Sequence, residues 1–153
     1  MRWKRNLLAA ALLGLAVCVS GAAQDRGYWR AASKNAVAIT GDLSLSDTKV
    51  TIDFLTFTVA SIRKLSAAEV GAAFDVDSSS GINGALYRLR IPAGQPFLKK
   101  NTLCGGEDTQ WMTTYVEGHN LHVAFFSGEN QPVLTTEAIL NTTDLCGIYT
   151  YAR

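Results

Sequence analysis

Two cysteines, two histidines and one acidic loop are the residues of this chain whose types and spacing could do chemistry. Cys104 and Cys146 each sit in the tripeptide Leu-Cys-Gly, within "NTLCGGEDTQ" and "TTDLCGIYTY". Neither has a second ligand at the short spacing of a zinc site, and neither belongs to a C-x-x-C redox pair. His119 and His122 in "GHNLH" are the only histidines. Residues three apart on a strand face opposite sides, so these two reach one metal only if the chain bends at Asn120 and a distant carboxylate joins them. In "DVDSSSG", Asp75, Asp77 and Ser79 alternate like the oxygen ligands of a calcium loop. Ser80 and Leu86 stand where an EF-hand needs Gly and Glu, so the stretch reads as a solvated turn.

Signatures of hydrolysis are missing. The chain has no G-x-S-x-G, no H-E-x-x-H and no glycine-rich phosphate loop. Glu107 and Asp108 are adjacent, and such a loop pair is ordinarily solvated. The expectation is a protein that is not an enzyme, with no metal and no cofactor; a metal-dependent enzyme using His119 and His122 is the rival that keeps chemistry in play.

The compartment decides how the cysteines behave. "MRWKRN" places Arg2, Lys4 and Arg5 ahead of the apolar run "LLAAALLGLAVCVS" and the small residues "GAA". This is the pattern of a secretory signal peptide over residues 1–23, cleaved after Ala23, with a single exported domain over residues 24–153. A lipidated Cys18 is the lesser reading, because Val17 stands where the lipoprotein peptidase favours a small residue. No later run is apolar for long enough to span a bilayer as a helix. With Cys18 removed, Cys104 and Cys146 remain in an oxidising compartment, where a disulfide is the expected outcome. Closing a loop of about forty residues stabilises a fold by about 4 kcal/mol. Gly105 and Gly147, one after each cysteine, point to a turn or a close approach.

Removing the leader also removes three basic residues and no acidic ones, leaving 11 basic against 13 acidic residues, since the full chain has Lys+Arg 14 and Asp+Glu 13. A net charge of −2 gives no basic excess to hold a phosphate backbone, and nucleic acid is an unlikely partner on charge alone.

The elements that must position these residues are mostly strands. "NAVAIT" and "GDLSLSD" alternate, with Val37 and Ile39, then Leu43 and Leu45, on one face each. "KVTIDFLTFTVA" changes parity between Phe54 and Leu55, which requires a bulge, a tight turn, or burial on both faces. Ser66 and Glu69 in "LSAAEVGAAF" have capping-box spacing ahead of one short helix. "ALYRLRIP" puts Tyr87, Leu89 and Ile91 opposite Arg88 and Arg90. "QWMTTYVEGHNLHVAFFSG" reads as a hairpin turning at "EGHN", residues 133–145 are ambiguous, and "CGIYTYAR" is a final strand. The fold class is therefore mainly β: a small antiparallel β-barrel or β-sandwich with one short helix and one disulfide. Trp111, Tyr115, Phe125 and Phe126 share the hairpin. Neighbouring Phe125 and Phe126 must face opposite ways, so one of them is expected outside the core, making this group the candidate binding surface.

The segments "SKNAVAITGD", "LYRLRIPAGQPFLKKNTLCG", "VAFFSGENQP" and "LCGIYTYAR", in this order behind a signal peptide, resemble a group of small exported proteins of unassigned function from Gram-negative bacteria. The resemblance covers most of the exported part. It implies a periplasmic or secreted domain with one disulfide and supplies no catalytic residue. Size, export and crosslink are also similar to periplasmic lysozyme inhibitors, whose inhibitory loop has no identified counterpart here. The functional expectation is an exported domain that binds a protein or an envelope component. A small barrel carrying an apolar ligand is the alternative, and would need an internal cavity.

Overall fold

The parity change at Phe54 is where one strand becomes two. A computed structural model describes residues 24–77 and 83–153. The expected leader with Cys18, and Ser79 and Ser80 of the acidic loop, lie outside the described residues. In chain order the elements are β1 Gly27–Ala31, β2 Leu43–Leu45, β3 Lys49–Ile52, β4 Leu55–Leu65, α1 Ala67–Phe74, β5 Asn83–Ile91, β6 Thr109–Glu117, β7 Asn120–Phe126, α2 Thr136–Asn141 and β8 Leu145–Ala152. Each strand pairs antiparallel with the next, and β1 pairs with β8, so the sheet closes into a barrel in sequence order. This decides between barrel and sandwich. Ile52 pairs with Leu55, which leaves Asp53 and Phe54 as a two-residue turn. Glu117 pairs with Asn120, so the second hairpin turns at Gly118 and His119.

Because strand direction alternates, the connections after β1, β3, β5 and β7 all gather at one end, the upper rim. The short β1–β8 seam, Arg30 opposite Ala152 and Ala31 opposite Tyr151, is reinforced just beyond the strand. There the Asn35 amide donates to the Ile148 carbonyl, and the backbone N–H groups of Ala32 and Ser33 donate to the Thr150 carbonyl at 2.9 and 3.0 Å. Asn35 also explains why "NAVAIT" is not the strand its alternation suggests. Its side chain accepts from the Ala36 N–H, and Ala36–Thr40 winds into a π-helical turn closed by Gly41 N–H donating to Ala36 O at 2.8 Å. Local side-chain bonding of this kind competes with a strand ladder.

Inside the barrel, Trp29, Tyr87, Met112, Phe125, Tyr149 and Tyr151 pack with the aliphatic residues of β2, β3 and β5–β7. Phe97 and Leu103, from the β5–β6 connection, pack into the same core from the upper rim. At the lower end Asp25 enters the interior. Its Oδ2 accepts from Tyr87 Oη at 2.5 Å and from Thr114 Oγ1 at 2.7 Å, and its carbonyl accepts from Trp29 Nε1 at 2.9 Å. The Arg153 guanidinium lies 4.1 Å from the Trp29 ring centre and donates to the carbonyls of Gln24 and Arg26, tying the residue after β8 to the segment that precedes β1.

A second apolar layer covers the outer face of β5–β7. Ser66 and Glu69 form the expected capping box, and Arg63 holds Glu69 through two bonds of 2.8 and 2.7 Å. The bidentate pair keeps the Glu69 carboxyl below its ordinary range, chiefly through the Arg63 hydrogen bonds. Val70, Ala73 and Phe74 of α1 thereby face Leu86, Tyr115 and Phe126. The ambiguous stretch after Pro132 supplies the rest, as Leu134, Ile139 and Leu145 join this layer and Thr135 caps α2 by accepting from Ala138 N–H at 3.2 Å. Among the described residues two short α-helices, rather than the one expected, therefore lie outside the barrel. No helix among the described residues is long and apolar enough to cross a membrane.

Candidate functional site

Cys104 and Cys146 form the disulfide, with Cα atoms 5.0 Å apart. Gly105 follows with φ +63 in open space, a turn that suits glycine. Gly147 is instead a close approach, since a Cβ there would meet the Tyr149 ring at 3.1–3.3 Å. The bond fastens the β5–β6 connection to β8 at the upper rim and thereby holds Phe97 and Leu103 in place. Asp108 helps: it accepts from Ala93 N–H at 2.8 Å and pairs with Arg90 at 3.0 Å, and these contacts, the backbone bond first, lower its pKa. The adjacent carboxylates thus include one with a structural task.

The histidines do not converge. His119 is exposed in the lower hairpin turn, whereas His122 lies on the outer face of β7, stacked on Tyr115 at 4.4 Å and bonded through Nδ1 to Thr150 Oγ1 at 3.1 Å. Among the described residues no three His, Cys, Asp or Glu side chains are placed to share a metal ion. Asp75 ends α1 in a left-handed conformation, φ 52, and its N–H caps the Gly71 carbonyl. Burial lowers the His122 pKa, with Glu117 opposing the shift. The unfolded chain, near 6.5, then binds a proton more readily than the folded one, so His122 favours folding above pH 6.5 and loses that contribution as pH falls. The urea midpoint is expected to drop between pH 7.5 and 5, and His122→Gln to flatten the drop.

The proposed aromatic surface is corrected by burial. Trp111, Tyr115, Phe125 and Phe126 are 8%, 1%, 0% and 0% exposed. Phe125 and Phe126 do face opposite ways, inward and outward, but the outward Phe126 is covered by the helical layer together with Trp111 and Tyr115. What the alternation could not show is that residues 133–145 would fold back over that face.

Among the described residues the most exposed aromatic is Phe54, 96% open to solvent. It stands at the upper rim with φ 63, next to Asp53 at φ 48. Two positive φ values in a two-residue hairpin are the type I′ pattern, which favours Asn-Gly or Asp-Gly; a Phe there costs about 1–2 kcal/mol relative to glycine. A groove of about 300 Å³ opens beside it. Tyr28, Asp42, Ser44, Thr51 and Asp53 line it with Phe54, and Leu98 of the β5–β6 connection forms part of its wall. Tyr28 donates its hydroxyl to Asp42 Oδ2, while Asp42 Oδ1 accepts from Ala31 N–H at 2.9 Å. The Tyr28 bond, followed by that of Ala31, lowers the Asp42 pKa and keeps the carboxylate charged. Leu98 leads into a second strained pair, Lys99 and Lys100 at φ 52 and 63.

No family model, curated protein or solved structure matches this chain. The site is therefore read from its own geometry. It joins an exposed ring, a groove with two carboxylates and a loop fixed by the disulfide. The parity change at Phe54 left a bulge, a tight turn or two-sided burial open and carried no sign that the ring would stand in solvent.

Proposed function

We propose that this is an exported, non-enzymatic binding domain whose upper rim docks a protein partner, with Phe54 as the anchor. The observation that carries the reading is Phe54 itself. Its ring packs against no core, its exposure is nearly complete, and its backbone conformation is one that a phenylalanine occupies at a cost. Folding gains nothing from this residue at this position. A few anchor side chains that fill pockets of the partner carry most of an interface's energy, and a two-residue hairpin turn holds the backbone of such an anchor with little entropy left to lose.

Export is supported by the leader pattern of residues 1–23 and by the disulfide, since such bonds persist in oxidising compartments. A lysozyme-like enzyme is one partner class to test, on the strength of the resemblance. The alternative of a barrel carrying an apolar ligand has less support, because large aromatic side chains occupy the interior.

Phe54→Gly separates binding from folding. The substitution is expected to raise the unfolding free energy by about 1 kcal/mol, as the strained φ becomes unstrained. It is also expected to abolish capture of the species that the immobilised wild-type protein retains from an envelope extract, together with any inhibition of a lysozyme measured in the same pair. Equal capture by a stabilised Phe54→Gly would contradict the proposal.

A further inference from the structure

We infer that the groove beside Phe54 receives a basic side chain of the partner, an arginine in preference to a lysine. This rests on the docking role proposed for the rim and deepens it by naming the chemistry of the residue that enters.

Two walls of the groove are aromatic, Tyr28 and Phe54, and both rings are solvent-exposed, at 58% and 96%. Aromatic faces attract cations, and a guanidinium can lie flat against them while an ammonium cannot. The groove also holds two carboxylates. Asp42 is occupied on both oxygens, by the Tyr28 hydroxyl and the Ala31 N–H, so it sets the local charge and orients the Tyr28 ring. Asp53 is different: among the described residues it forms neither a side-chain hydrogen bond nor an ion pair, and it sits on the same turn as Phe54. The Ser44 hydroxyl adds an acceptor on the floor, whereas Thr51 is already bonded to Thr56 at 2.9 Å.

The protein's own cations do not fill this role. Arg30 on β1 is close enough to Asp42 to influence its charge, and Lys99 and Lys100 follow Leu98, yet none of the three pairs with Asp42 or Asp53 among the described residues. They remain at the rim as positive charges that would repel a second cation outside the groove and favour an acidic surface around the inserted residue. The volume, about 300 Å³, accommodates one long side chain rather than a folded ligand. The partner surface that fits is therefore one basic side chain within a neutral or acidic surround.

The test uses three small probes, N-acetyl-arginine methylamide, N-acetyl-lysine methylamide and N-acetyl-norleucine methylamide, titrated into the folded, oxidised protein while amide chemical shifts are followed. The arginine probe is expected to give saturable shifts at residues 42–44 and 51–54, binding about tenfold more tightly than the norleucine probe, with lysine between them. Asp53→Asn keeps a residue that tolerates the left-handed turn, and is expected to weaken the arginine probe threefold to fivefold, or about that, with no change in thermal midpoint. Equal binding of arginine and norleucine, an unaffected Asp53→Asn, or shifts centred elsewhere would overturn the inference. Loss of partner capture in Phe54→Gly alongside an arginine probe that does not bind leaves docking standing and removes the cation. A bound arginine probe with undiminished capture by Phe54→Gly does the reverse.

Discussion

Serine at both Cys104 and Cys146 is expected to lower the unfolding free energy by about 4 kcal/mol. The bond closes a segment of 42 residues, and most of its effect in the loop-entropy description comes from restricting the unfolded chain. Its position adds a local consequence. Without it, the β5–β6 connection keeps the Asp108 contacts, the Asn101 side-chain bond to the Ala38 carbonyl at 3.3 Å and the burial of Phe97 and Leu103 to hold it against the barrel. Leu98, part of the groove wall, belongs to that connection. The double variant should therefore fold at reduced stability and show faster amide exchange at residues 93–106 than in the rest of the barrel. Equilibrium urea unfolding of oxidised wild type against the double serine variant measures the first effect. A difference below about 1 kcal/mol would show that the crosslink is incidental to the fold.

Phe126→Ala is the second large effect, with an expected loss of about 3–5 kcal/mol. Phe126 is fully buried between β7 and the helical cover, packed with Leu134 and the residues of α1. Removing its ring leaves a cavity that two short helices can close only in part, and each neighbour loses dispersion contacts. A variant of nearly unchanged stability would instead mean that the helical layer does not cover this face, and would restore Phe126 to the aromatic surface suggested by alternation alone. Phe125→Ala should cost a similar amount from the other side of the sheet, which makes it an internal comparison.

Local patterns fixed several elements well. Ser66 with Glu69 located α1, Tyr87, Leu89 and Ile91 marked one face of β5, and the parity change near Phe54 marked an irregularity, one of whose three readings was the tight β3–β4 turn. Those signals depend on residues close in sequence, whose geometry is set by φ/ψ and strand period. What remained hidden depends on contacts distant in sequence. Trp111, Tyr115, Phe125 and Phe126 formed one candidate surface because the segment that covers the outward-facing three, residues 133–145, carries no clean period of its own. "NAVAIT" alternated like a strand, but Asn35 bonds across to Ile148 and winds the next residues into a turn. Asp25 gave no hint that it would enter the barrel and meet Tyr87 and Thr114. The site was hidden for a related reason: periodicity can say that a chain turns at Asp53 and Phe54, but not that the turn leaves a phenylalanine ring in solvent beside two carboxylates.

The most direct test of the central claim is site-specific photo-crosslinking from the rim. A benzoylphenylalanine introduced at position 54 should give one discrete protein adduct in cells, and the same group at position 62, exposed at the bulge of β4, should not. The purified partner should then bind wild type at least about thirtyfold more tightly than Phe54→Ala, the loss typical of an aromatic anchor. Identical adducts from both positions, or a partner indifferent to Phe54→Ala, would contradict a docking role for this turn.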